Sequence, residues 1–168
     1  MKKRMPELRF SGFTASWQAS QIGKVSKFVA STTNKKDTVA QASTSHPYPL
    51  YDGNKCIGYS KSYIFDQDYI ALSKDGTVGK LSLKPAFSDV IATIGALQAQ
   101  KGVDLLLALQ RCDLSKYAVG SAVKHIYFKD YQEHSLYIPQ KQEQQKISQF
   151  FCCHRTTNCC CAAITNAN

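Results

Sequence analysis

Five of the chain's seven cysteines fall within CCHRTTNCCC, residues 152–161, with His154 among them. Thiolates and an imidazole are zinc ligands, so metal binding is the first chemistry to weigh. Structural zinc sites place two ligands a few residues apart and supply another pair further along the chain. Runs of two and three adjacent cysteines do not give that geometry easily, and no second pair stands upstream. Adjacent cysteines also make strained disulfide partners. The four histidines, His46, His125, His134 and His154, share no ligand spacing, so no metal site is expected. GxGxxG, GxxxxGK[ST], HExxH and GxSxG are all absent, as is the DPPY or NPPY of an adenine methyltransferase. The acidic residues are scattered rather than paired. No catalytic residue is assigned, and the chain is expected to bind rather than to react.

What these side chains can do is hold a polyanion. The 168-residue chain carries 21 Lys and Arg against 12 Asp and Glu, a net charge of +9. Residues 1–36 hold eight basic groups and only Glu7, and single lysines such as Lys84, Lys101 and Lys124 punctuate the rest. A surplus of this kind attracts nucleic acid or an anionic surface. Lysines on loops bind phosphates, while Asn, Gln, Arg and Lys can read base edges. The polar loop offers Lys35 and Lys36; YDGNKCIGYSKSY offers Asn54, Lys55, Tyr59, Lys61 and Tyr63; a hairpin tip offers Lys74 and Lys80. The same residues also fit a generic basic nucleic-acid- or carbohydrate-binding module, with solvated lysines and half-buried tyrosines. An RNA binder would carry stacking aromatics on adjacent strands. Here the tyrosines cluster near turns, which favours DNA.

These candidates must be positioned by a mixed set of strands and helices. Residues 31–47 read as an exposed loop with a short irregular turn. A strand near Tyr48–Tyr51, a turn at DGN and an extended KCIGYSKSYIF follow. In YIALSKDGTVGKLSL, residues 69–83, two β-rich runs flank Asp75-Gly76, which suits a tight hairpin turn, and Gly79 marks a bulge in the second run. SDVIATIGAL reads as one strand. Leu105, Leu106, Leu109 and Leu114 suit a helix with Asp104 as N-cap. HSLYIPQ is a short strand, and beyond Pro139 the residues Ile147, Phe150 and Phe151 recur at helical spacing. Trp17 and Phe13 are assigned to core packing, Cys56 and Cys112 to buried positions, and Gly120 to a backbone turn. The fold class is α/β in the mixed, α+β sense, a twisted β-sheet with flanking helices. No run approaches the roughly 18 apolar residues of a membrane span, and MKKRMPELRF lacks the apolar segment of a secretory signal. A cytoplasmic location without membrane contact is therefore expected.

Four segments in order carry a resemblance. PELRFSGFTASW presents Pro6, Glu7, Leu8, Arg9, Phe10, Gly12, Phe13 and Trp17. YPLYDGNKCIGY and SKDGTVGKL follow, and VGSAVKHIYFKDYQEHSLYIPQKQEQQKI ends in Ile-Pro and Glu-Gln-x-x-Ile. Together they resemble the specificity (S) subunit of type I restriction-modification enzymes over about residues 6–151. The resemblance implies a non-catalytic DNA-recognition domain that reads one half of a split site. It also implies a conserved helix as spacer and docking surface, here with Ile147, Phe150 and Phe151 as contact residues. Modification (methyltransferase) and restriction subunits are the implied partners. S-adenosylmethionine, ATP and Mg would then reside on those partners, with no cofactor on this chain. The length accommodates half of such a subunit, which implies pairing with itself or with a second half-subunit.

The expected layout is a target recognition domain over 1–138, the start of a spacer helix over 139–151, and an atypical cysteine-rich tail over 152–168. The tail has no amphipathic stripe and no Leu, so it reads as a change of reading frame near Phe151. On that reading the alternative function is an inactive truncated fragment of the same kind of subunit.

Overall fold

The structure is a computed structural model that describes residues 9–155, with side chains through Phe150. Pro6, Glu7, Leu8 and most of the cysteine-rich tail lie outside the described residues.

Three sheets organise the chain. Strands β2 (Ser26–Ala30), β5 (Tyr69–Ser73), β6 (Leu81–Lys84) and β8 (Ile94–Ala99) form an antiparallel sheet in the order β2-β8-β5-β6. Strands β3 (Tyr48–Asp52), β4 (Lys55–Ser60) and β7 (Asp89–Val90) form a second sheet in the order β4-β3-β7, with β3 and β7 parallel. Strand β1 (Gln18–Gln21) pairs antiparallel with β9 (Ser135–Ile138), which joins the two ends of the domain. Among the described residues the α-helices are α1 (Ile22–Val25), α2 (Leu105–Gln110), α3 (Phe128–Tyr131) and α4 (Lys141–Arg155). This is the expected mixed α+β class.

The YIAL run is continuous rather than alternating because β5 is buried on both faces. Side chains alternate across a strand. Ile70 and Leu72 therefore enter one core with Leu97, Leu105, Leu109, Ile126 and Leu136. Tyr69 and Ala71 enter a second core with Leu50, Phe65, Val90 and Ile94. The four-stranded sheet is thus the middle layer, with α2 and β9 on one side and the β3–β4 hairpin on the other.

The local expectations meet mixed outcomes. Asp104 caps α2 as predicted, its side chain accepting from the Leu107 N–H at 2.9 Å. Gly53 (φ 57°) makes the two-residue β3–β4 turn, with a positive φ at the first central position only, as in a type II′ turn. The second hairpin differs: β5 and β6 do pair, but Lys74–Lys80 forms a longer connection rather than a tight Asp-Gly turn. Gly79 (φ 84°) lies in that connection and not in a strand, because the tip is drawn aside. Asp75 bonds His125 at 2.8 Å, and the Gly76 N–H reaches the Lys124 carbonyl. SDVIATIGAL is two strands, not one. The Ile94 N–H turns back to the Ile91 carbonyl, and β7 and β8 join different sheets. Cys112 is partly buried, whereas Cys56 is exposed on β4, since its side chain projects away from the second core. Gly120 (φ 105°) does serve a turn, where a Cβ would lie 2.4 Å from the Val123 carbonyl oxygen.

The first turns of α4 pack through polar groups. Glu143, 1% exposed, accepts from Arg9 Nε (2.8 Å), Arg9 Nη2 (2.7 Å) and Trp17 Nε1 (3.1 Å). The Arg111 guanidinium lies over the Trp17 ring at 4.9 Å. Gln144 receives the Asp104 N–H at 2.6 Å and donates to the carbonyls of Pro139 and Gly102. Ser148 closes the set on the Asp104 carboxylate. Trp17 is therefore core, as expected, and it is also a hydrogen-bond donor to α4.

Candidate nucleic-acid interface

Seven of the nine candidate residues gather on the β3–β4 sheet and the loop before it. Asn54 and Lys55 are exposed at the hairpin turn. Lys35 and Lys36 lie on a single 3₁₀ turn, Lys35–Asp37. Tyr59, near the end of β4, ties this loop down: its N–H and carbonyl both bond Val39, at 2.9 and 3.2 Å. The approach is close because residue 58 is glycine, where a Cβ would meet the Val39 carbonyl oxygen at 2.7 Å. Lys35 pairs with Asp52 across the hairpin. That exposed pair contributes about 0–1 kcal/mol, so it orients the loop more than it stabilises it.

Between the loop and β4 opens a cleft of about 540 Å³, lined by Lys36, Lys61, Asp37 and His46 together with the hydroxyls of Thr32, Thr33, Thr38 and Ser60. Two lysines among hydroxyl groups suit a phosphodiester, with the exposed Asp37 carboxylate opposing them from the same lining. The lining residue Thr33 is anchored from behind the cleft by a side chain the sequence reading passed over. Asp89, 2% exposed, accepts from Thr33 Oγ1 (2.6 Å), Ser31 Oγ (3.2 Å) and the Val90 N–H (2.7 Å). It thereby fixes where the loop leaves β2. Only a hydroxyl-x-hydroxyl pattern at Ser31 and Thr33 hints at this in the sequence, and its partner is 56 residues away from Thr33.

Lys74 and Lys80 belong to the other sheet, beyond the ends of β5 and β6. A short seam joins them to the first group. The Ile91 N–H donates to Tyr51, the Ala92 N–H to Thr33, and the Lys74 N–H to the Thr93 carbonyl, at 3.1, 2.9 and 2.9 Å. Lys80 is exposed, while Lys74 is partly buried with its stem running past Gly95. Lys84 drops out of the basic surface altogether. It is 3% exposed with its ammonium 4.8 Å from the Tyr51 ring centroid, and burial pulls its pKa below the usual lysine value. Tyr63 is 41% exposed and packs edge-on against Tyr48.

The helix candidates lie apart from this surface. Ile147 is partly buried, and Phe150 is 46% exposed while meeting Phe10 edge-on at 5.6 Å. Phe151 lies on α4, its side chain outside those described. Among the described residues, no three His, Cys, Asp or Glu side chains converge on a metal position. No helix among them is long and apolar enough to cross a membrane.

Comparison with known proteins adds the following. The family model for the type I restriction modification DNA specificity domain matches residues 15–158. The fold is similar to a type I restriction-modification S subunit from M. genitalium, with TM-score 0.64 and 17% identity over 91% of this chain and 41% of that one. It is similar to a chain from a study of complex assembly and conformational transition of the type I R-M system, with TM-score 0.66 and 13% identity over 89% and 40%. An HsdS subunit from Thermoanaerobacter tengcongensis gives TM-score 0.52 and 14% identity over 87% and 38%. The chain thus spans about two fifths of the length of these structures. No curated protein matches it.

Proposed function

Because the chain belongs to the family of type I restriction modification DNA specificity domains, we propose that it is a non-catalytic DNA-reading unit whose duplex backbone is held at the cleft between Lys36 and Lys61. The observation that carries this reading is the cleft itself: exposed Lys36, on a loop that Asp89 and Tyr59 hold in place, faces exposed Lys61 just beyond β4 across threonine and serine hydroxyls, and the two lysines outweigh the lining Asp37. Phosphate contacts of this kind set register and orientation, while neighbouring Asn54, Lys55 and Tyr63 face the bases. Methylation and cleavage then belong to partner subunits, which α4 engages through Ile147, Phe150 and Phe151. S-adenosylmethionine, ATP and Mg act on those subunits and not here. A second recognition domain, on another copy or another chain, reads the other half of the site. The cytoplasm, where such partners and DNA are found, is the compartment of action.

The experiment is selection from a randomised duplex pool at near-physiological salt, followed by sequencing of the bound DNA. One short enriched motif is the expected result, and two copies at fixed spacing would show pairing of two domains. Lys36→Ala and Lys61→Ala should each weaken binding evenly across sequences and reduce the salt slope by about 1 per lost phosphate contact. A pool that stays random after repeated rounds would overturn the reading.

A further inference from the structure

Three aromatic rings run in succession beside the cleft. Tyr48 meets Tyr63 edge-to-face with centroids 4.8 Å apart, and Tyr63 meets Phe87 in the same manner at 5.1 Å. Phe87 is 49% exposed, and its backbone sits at φ 54°, the one positive φ of a non-glycine among the described residues. The left-handed region disfavours any side chain with a Cβ, and a bulky one most. Yet the conformation is enforced from both sides. The Phe87 N–H donates to the Phe65 carbonyl (2.9 Å), the Ala86 N–H to Asp68 Oδ1 (2.9 Å), and the Ile64 N–H to the Ser88 carbonyl (3.1 Å). Glycine would take this backbone without strain. The chain instead holds a phenylalanine there, with half its ring in water. The edge-to-face contact with Tyr63 uses only part of the ring and backbone preference opposes the choice, and strain held in place in this way concentrates at ligand-contacting positions.

We propose that Phe87 and Tyr63 form an aromatic ridge that contacts the bases of the duplex whose backbone lies in the adjoining cleft. The proposal rests on the DNA reading above and deepens it. Charge selects the occupant. Tyr63 follows directly on Lys61 and Ser62, which line the cleft, whereas Asp66 and the exposed Asp68 stand further along the same connection. Phosphates are drawn to the lysine end and repelled from the carboxylate end, which leaves the uncharged bases against the rings. An exposed phenylalanine can meet a thymine methyl or wedge between base steps.

The test compares the full chain with its Phe87→Gly and Phe87→Ala variants against the selected duplex and an unrelated one, alongside thermal unfolding. For Phe87→Gly the midpoint should stay near that of the wild type, since relief of strain offsets the lost Tyr63 contact and the added freedom of the unfolded chain. Affinity for the selected duplex should fall about tenfold, the scale of one lost base contact, and affinity for the unrelated duplex should hold. Phe87→Ala should lose the same specificity. A selected duplex bound by Phe87→Gly as tightly as by the wild type would overturn the ridge while leaving the DNA reading intact. Loss of a co-purifying protein with DNA affinity unchanged would assign the rings to a protein partner, and would also overturn it. Failure of the wild type to enrich any motif would remove the DNA reading and the ridge together.

Discussion

Glu143 brings a carboxylate into a site that is 1% exposed, where only its partners make the charge tolerable. Arg9 and Trp17 supply three donors, so the pair is tied and hydrogen-bonded rather than merely close. Removing one member of such a pair costs more than the pair contributes, because the other charge stays behind. Glu143→Ala leaves the buried Trp17 N–H without its acceptor and should lower unfolding stability by about 1–3 kcal/mol. Glu143→Gln, which still offers Trp17 an acceptor, should cost about half as much. Equilibrium urea denaturation near neutral pH reads both, and a Glu143→Ala midpoint equal to wild type would show that the network adds nothing. The motif logic is now physical: Arg9 and Trp17 from the opening segment and Glu143 from the closing one form a single contact.

At the scale of elements, the middle sheet owes its register to side chains fitted where glycine leaves room. Phe28 of β2 crosses Gly95 of β8 and stacks on Phe128 of α3, with centroids 4.7 Å apart and planes 3° from parallel. A Cβ at residue 95 would stand 2.5 Å from the Phe28 ring. Gly95→Ala should thus cost about 1–3 kcal/mol through overpacking. Part of that loss should return in the double variant Gly95→Ala/Phe28→Leu, which removes the struck ring. Thermal unfolding of the three variants measures the coupling; strictly additive losses would mean that the clash is relieved elsewhere. Gly95 was read as an ordinary strand residue, since nothing local to IGAL marks a ring packed over it.

For the whole molecule, the two cores each bury a tyrosine hydroxyl. Burial pushes Tyr69 from its ordinary value of 10 up to about 12, with Asp89 and Tyr51 adding to the rise and a Ser88 contact opposing it. Burial alone raises Tyr131. The sign follows from linkage: a folded pKa above the unfolded one leaves stability intact below pH 10 and removes it as pH climbs from 10 toward 12. Alkaline titration should show most of the nine tyrosines ionising first. Tyr69 and Tyr131 should ionise only as far-ultraviolet circular dichroism is lost. Uniform ionisation of all tyrosines with secondary structure intact would contradict both burial assignments.

Much of this protein is written locally. The positions of β3, β4, β5, β6, β9, α2 and α4, the Asp104 cap, the Gly53 turn and the polar lysine-bearing loop follow from period, turn chemistry and composition, which act over a few residues. The grouping of Lys35, Lys36, Asn54, Lys55, Lys61 and Tyr63 was legible too, because one hairpin and its neighbouring loop hold them all. What depended on contacts between distant segments was not. Cys56 reads as a buried small hydrophobe until β4 shows which face it takes, and Lys84 reads as surface charge until Tyr51 closes over it. Asp89 anchors Thr33 from 56 residues further along the chain, and Phe87 acquires its φ from bonds to the connection that follows β4. Sequence alone determined the strands of the two hairpins, the capped helix α2 and the helix after Pro139, and that the surface suits a polyanion. Burial, strain and the shape of the cleft were decided by the tertiary structure, since each is set by which remote atoms displace water from a side chain.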